Sequence, residues 1–137
     1  LNVRVGCPNV IERIEGGLLS YGNDITRENT PFEAGLGKYV NSPEDFIGKQ
    51  ALLDRPFNQI IKPVLIEGEI PPCDRAWPAY QNDELIGHIT SAAFSPDFKC
   101  NVSIGMMKKL ESDTTISIQV ETQIGIRLAR IQKTFWK

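Results

Sequence analysis

From Pro63 onward, apolar and polar residues alternate with a period of two. Val102, Ile104 and Met106 are interleaved with Asn101, Ser103 and Gly105, and Ile116, Ile118 and Val120 with Ser117, Gln119 and Glu121; Ile124, Ile126 and Leu128 follow in the same manner. Such alternation puts one kind of side chain on each face of a strand, so each run is predicted to have one dry face. Val64-Leu65-Ile66 forms another short apolar run, Pro71-Pro72 interrupts the chain, and Gln81-Asn82-Asp83 supplies turn residues ahead of Leu85-Ile86. Several short strands separated by turns predict a small antiparallel barrel or sandwich.

Before that half the pattern is helical. Pro8 followed by Val10, Ile11 and Ile14 predicts a short helix that Gly16-Gly17 ends, which leaves Glu15 near a helix C-terminus. Thr30-Pro31-Phe32-Glu33 has the form of a capping box and predicts a second start, with Phe32, Leu36 and Tyr39 or Val40 on one side and Gly35 and Gly37 weakening the helix. Ser42-Pro43-Glu44-Asp45 offers a third start, with Phe46, Ile47, Ala51 and Leu53 as its buried side and Arg55-Pro56 as its end. The change from helical to strand-like composition falls between Arg55 and Lys62. The expected fold class is therefore α+β, divided into residues 1–58 and a small antiparallel β-barrel at 59–137.

Composition narrows the functional classes. A chain of 137 residues, 41% hydrophobic with net charge -2, suits one ordinary domain or two small units sharing a core. The absence of basic runs argues against nucleic acid or a membrane surface as partner, and Lys108-Lys109 reads as a solvated edge. No segment is long and apolar enough to span a bilayer. No signal peptide is evident, although a chain that opens on Leu1 without methionine can have its true start elsewhere.

Three cysteines, Cys7, Cys73 and Cys100, are odd in number and widely spaced, which reads as reduced thiols in a cytoplasmic protein, with one chance disulfide left open. His88, the only histidine, lies in an alternating run and reads as a structural strand residue, because a metal site needs several convergent ligands. Gly16-Gly17 lacks the strand-to-helix fingerprint of a phosphate loop. Ser91 and Ser95 have no G-x-S-x-G setting, which argues against a serine hydrolase, and Asp97 and Lys99 fall in a turn after Ser95-Pro96, where solvent exposure accounts for them.

The stretch with most chemical content is Arg13 to Leu36. A carboxylate at a helix C-terminus is repelled by the helix dipole, so Glu15 calls for a compensating donor, for which Arg13 is a candidate. From spacing alone Glu15 is a solvated or salt-bridged surface acid.

The order R-x-E-G-G-L-x-x-Y-G-N-D-I, then T-P-F-E-A-G-L, then D-F-I-G-K-Q-A-L at Asp45 to Leu52, resembles the second half of the folate-binding domain in the aminomethyltransferase family. That family includes the glycine-cleavage aminomethyltransferase (T-protein) and dimethylsulfoniopropionate demethylase. The segment W-P-A-Y-Q-N-D-E-L-I-G-H-I-T-S-A-A-F-S-P, Trp77 to Pro96, looks closest to the demethylase branch. The resemblance implies that the glutamate matching Glu15 binds the pterin ring of tetrahydrofolate. A carboxylate suits that role by accepting two parallel hydrogen bonds from a ring N–H and an exocyclic amine. Tyr21 lines the same cavity by this resemblance; read from its residue type it is equally a buried core tyrosine.

The implied function is one-carbon transfer to tetrahydrofolate from a small donor, with orientation carrying much of the rate. The carbon is an aminomethyl group on a lipoyl arm in one branch and a methyl group on a sulfonium, which leaves as a neutral sulfide, in the other. The implied fold is the C-terminal part of a folate-binding domain followed by a barrel. Nothing in the chain matches the long N-terminal half of that folate-binding domain, so the resemblance points to a fragment, a shortened relative, or a chain that needs a partner to finish the cavity. The alternative is a non-catalytic folate-binding or protein-interaction module. The K-G-C-Y-x-G-Q-E signature of the folate-dependent iron–sulfur assembly relatives is absent from Asp45-Phe46-Ile47-Gly48-Lys49-Gln50, which counts against that subtype.

Overall fold

The structure, a computed structural model, describes residues 9–109 and 116–137; Cys7 and Pro8 lie outside the described residues. Among the described residues three short helices, α1 (Val10–Glu15), α2 (Gly37–Val40) and α3 (Lys49–Asp54), precede six strands: β1 (Gln59–Ile66), β2 (Trp77–Gln81), β3 (Glu84–Ser95), β4 (Cys100–Lys108), β5 (Ile116–Thr122) and β6 (Gly125–Ile131). The strands close an antiparallel barrel in the order β1-β4-β3-β2-β5-β6. The α+β class and the barrel are those the alternation predicts. Closure removes exposed sheet edges, which is why short strands suffice.

The interior is filled by Val64, Ile66, Trp77, Ala79, Ile86, Ile89, Met107, Ile118, Val120, Ala129 and Ile131. A second cluster lies outside the barrel wall, where Ile14 of α1 packs on Ile61, Val102, Ile104 and Met106. β4 therefore has two buried faces, from Asn101 to Met107, and not the single dry face its alternation predicts. Its apolar set faces α1. The small polar set satisfies itself inside: Asn101 Nδ2 donates to the carbonyls of Ile66 (2.9 Å) and Gly68 (2.6 Å), and Ser103 Oγ to that of Val64 (2.6 Å).

The hairpin β5–β6 corrects a second expectation. Ile118 pairs with Ala129 and Ile116 with Ile131, so cross-strand partners on the inner face are Ala129 and Ile131. Ile124, Ile126 and Leu128 are exposed instead. The tight turn between Thr122 and Gly125 resets the phase by one residue, and in a period-two structure that moves the whole set to the other face.

The helical half departs further. α1 starts where expected, with Asn9 and Glu12 forming a reciprocal capping box, and Gly16 caps its end. At Thr30 the capping box also forms: Thr30 N–H donates to Glu33 Oε2 (2.6 Å) and Glu33 N–H to Thr30 Oγ1 (3.3 Å). It closes turns, however, and no helix follows directly, because Gly35 takes a left-handed φ of 75° that stops propagation. Glu33 then ties this turn to β1, accepting from Gln59 Nε2 (3.0 Å) while its carbonyl accepts from Ile61 N–H (2.7 Å). The third start is displaced as well. The helix begins at Lys49 behind Gly48, not at Ser42, and Phe46, Ile47, Ala51 and Leu53 are exposed where a buried side was expected. Ser42 serves otherwise, its carbonyl accepting from Lys49 Nζ (2.7 Å).

Candidate functional site

Ile14, fully buried, anchors α1 on the barrel wall, and the next residue, Glu15, is carried towards the β3–β4 turn. Ser95, the last residue of β3, donates its hydroxyl to Glu15 Oε1 (2.7 Å) and accepts from Phe98 N–H (3.1 Å), which fixes the hydroxyl's direction. Glu15 Oε2 is paired with the ammonium of Lys137. The end of the described chain lies across this carboxylate: Trp136 and Lys137 N–H groups both donate to the Glu15 carbonyl (3.0 and 3.1 Å). Phe135 lies over Gly17, whose φ of 67° suits glycine and where a Cβ would sit 2.6 Å from the ring.

Glu15 is thus 1% exposed. It is sealed from water yet lies just beneath the rim, so its partners outweigh desolvation. The Lys137 ammonium and then the Ser95 hydroxyl hold its carboxyl below the usual carboxylate range against the opposing effect of burial, and the carboxylate in turn raises the Lys137 ammonium. The charge at the helix C-terminus is compensated, but by Lys137 and not by Arg13.

Arg13 is engaged elsewhere. Its Nη1 meets Asp24 Oδ2 (2.8 Å) and its Nη2 donates to Ser91 Oγ (2.6 Å). Asp24, with a side chain closed to solvent, accepts also from Ser20 N–H (2.8 Å), Thr90 Oγ1 (2.6 Å) and Ser91 Oγ (2.7 Å). In a regular strand Thr90 and Ser91 would point to opposite faces. A bulge between Ile89 and Ser91 turns both towards Asp24, and this buried network ties the Tyr21–Ile25 turn to β3.

Residues 61–137 match the glycine cleavage T-protein C-terminal barrel domain. The chain belongs to this family. It is 51% identical over 140 residues to the dimethylsulfoniopropionate demethylase of Ruegeria pomeroyi, a match that takes in 100% of the chain and 38% of that protein. With the aminomethyltransferase of Prochlorococcus marinus it shares 34% identity over 132 residues, 91% of the chain and 35% of the relative. The crystal structure of the glycine cleavage system aminomethyltransferase from Bartonella henselae superposes with a TM-score of 0.75 at 23% identity, over 92% of the chain and 37% of that structure. The chain therefore spans less than two fifths of the length of the relatives it matches.

In this member of the T-protein barrel family, Glu15 and Tyr21, the two binding residues expected from sequence, are not joined by a direct hydrogen bond. Glu15 is buried against Ser95 and Lys137, neither solvated nor on the surface. Tyr21 is 71% exposed, so it is not the core tyrosine its residue type allowed, and its hydroxyl makes no hydrogen bond among the described residues. His88 stands exposed on β3, and Asp97 and Lys99 lie in the β3–β4 turn as expected. A hollow of about 260 Å³ beside the Asp24 network is lined by Gly22, Asn23, Cys73, Asp74, Arg75, Ala76 and Thr90 and takes in neither Glu15 nor Tyr21. Sequence reasoning missed Ser95, Ser91, Asp24 and Lys137 as partners. Asp24 could have been found within Y-G-N-D-I; Ser95 and Lys137 are 80 and 122 positions from Glu15, and no local signal marks them.

Proposed function

We propose that the chain is the C-terminal portion of a tetrahydrofolate-dependent one-carbon transferase, demethylase-like, that moves a methyl or aminomethyl group to tetrahydrofolate. The observation that carries this reading is Glu15: a buried carboxylate at the end of α1 whose Oε2 is paired with the ammonium of a half-exposed lysine, Lys137. Two N–H groups on one edge of a pterin are donors of the right geometry for such a carboxylate. The 51% identity to a demethylase along the full chain supports the methyl-transfer branch. In this reading Glu15 holds and orients the acceptor, Ser95 fixes the direction of the carboxylate, and Tyr21 offers an exposed ring to the same ligand. Orientation of acceptor nitrogen and donor carbon is then the main catalytic contribution. The domain division at 58/59 belongs to the same proposal, with residues 1–58 completing a folate cavity and 59–137 bracing it. A cytoplasmic setting is supported by Cys73 and Cys100, both free thiols.

A second reading, a non-catalytic folate-binding or protein-interaction module, is favoured by a different observation. Phe46, Ile47 and Leu53 around α3 are exposed, Ile47 completely, and the longer relatives have more chain with which to cover such a face. Titration of tetrahydrofolate into the natural-length protein and its Glu15→Gln variant tests ligand binding. Loss of one bidentate charged contact predicts affinity lower by about tenfold or more; equal, saturable binding by both removes the assignment. Dimethylsulfoniopropionate and an aminomethylated lipoyl carrier are then supplied as donors. Methylated or methylene folate establishes turnover, and binding without product favours the module.

A further inference from the structure

We propose that Lys137 is a displaceable counter-ion of Glu15: it holds the carboxylate oxygen that an incoming N–H edge requires, and it crosses to Asp97 when that ligand binds. The inference rests on the reading of Glu15 as a folate ligand given above, and it follows from how unequal the two neighbours of that carboxylate are.

With Glu15 at 1% exposure, no ligand reaches either oxygen unless something moves. Ser95 is not free to move. It is completely buried, and its hydroxyl is committed in both directions, to Glu15 Oε1 and from Phe98 N–H. Lys137 differs in each respect. Its side chain is 46% exposed, its stem is long and flexible, and its ammonium is paired with Oε2 at the solvent side of the carboxylate. A point charge on a flexible stem is easily redirected, whereas a planar guanidinium would grip both oxygens.

There is also a place for the ammonium to go. Asp97 Oδ2, on a side chain 73% exposed, already lies 3.9 Å from Lys137 Nζ. A swing towards Asp97 uncovers Oε2 and keeps the positive charge close enough to compensate the carboxylate. Glu12 adds to the negative field on the ammonium. The backbone need not follow, because Trp136 and Lys137 N–H groups remain bonded to the Glu15 carbonyl and Phe135 stays over Gly17. The cost of breaking the ion pair is subtracted from every binding event, so removing the competitor raises apparent affinity.

The test is titration of tetrahydrofolate, under anaerobic conditions, into the natural-length protein and its Lys137→Met, Lys137→Arg, Asp97→Asn and Glu15→Gln variants, each first checked by thermal unfolding. Lys137→Met is expected to bind about five- to tenfold more tightly than the parent, and Lys137→Arg, whose fork holds Glu15 more firmly, several-fold more weakly. Asp97→Asn, which removes the alternative partner, is also expected to weaken binding. Lys137→Arg keeps a positive charge against Glu15 and is expected to fold even where the methionine variant does not, so the prediction is read from at least one of them. If Glu15→Gln binds weakly but Lys137→Met is no tighter than the parent, or Lys137→Arg no weaker, the counter-ion proposal fails and the folate assignment stands. If Glu15→Gln binds as the parent does, the folate assignment fails and the counter-ion role goes with it.

Discussion

Two carboxylates a few residues apart illustrate how burial decides what a charge is for. Asp24 is saturated: an arginine, a backbone N–H and two hydroxyls use its accepting capacity, and Arg13 depends on it in return. Such a group organises structure, and Asp24→Ala, which strands a largely buried guanidinium, should cost about 3–5 kcal/mol in chemical denaturation. Glu15 has fewer partners, Ser95 and Lys137, and its ionisation is linked to stability. Its carboxyl is depressed below the reference value of 4.5, so its contribution is complete above that pH and drains away as pH falls through the lower, folded value. The raised Lys137 ammonium gives the mirror image, with stability present below 10.5 and lost as pH rises through its folded value. Thermal unfolding of Glu15→Gln should accordingly show a flatter acid limb than the parent. At Gly17 the left-handed φ and the Phe135 ring act together, and Gly17→Ala should cost about 1–2 kcal/mol from the backbone alone. Altered Trp136 fluorescence would report that the cover over Glu15 has lifted.

At the scale of elements, alternation was a reliable guide to which segments are strands and an unreliable guide to which face is inside. β4 was legible as a strand from Val102, Ile104 and Met106, but that these face α1, while Met107 and the small polar residues face the interior, depends on a helix some ninety residues earlier. β6 was placed correctly and phased wrongly, because its phase is set by the turn at Thr122–Gly125 and by pairing with β5. The ladders are also unequal. β1–β4 and β3–β4 each register eight residue pairs, whereas the β5–β6 hairpin joins the barrel through two pairs to β2 and three to β1. Native-state hydrogen exchange should therefore find β4 amides slowest and the β2–β5 and β1–β6 seams opening first. Uniform protection around the barrel would contradict that order.

For the molecule as a whole, the barrel and α1 form the consolidated part, and the segment from Leu36 to Leu53 presents apolar side chains outward. Among the described residues no helix is long and apolar enough to cross a membrane. A face bearing Leu36, Tyr39, Phe46, Ile47 and Leu53 is what further protein or a partner chain would cover, and relatives more than twice as long have the material to do so. The 137-residue chain alone should bind a hydrophobic dye at this face, and Ile47→Glu with Leu53→Glu should abolish the signal. If the natural-length protein binds as much dye, the face is uncovered there too, and the interface is wrong.

What the sequence determined by itself was local: period-two runs that become strands, the capping box at Thr30, glycine stops, and the ordered motifs that carry the family resemblance. These are properties of residues within a few positions of one another, and the chain enforces them wherever the segment lies. Tertiary structure alone decided that Glu15 is buried, that its partners are Ser95 and Lys137, and that Arg13 belongs to Asp24. Those pairings join positions far apart in the chain, and barrel closure with α1 docked on its wall is what brings their atoms within bonding distance.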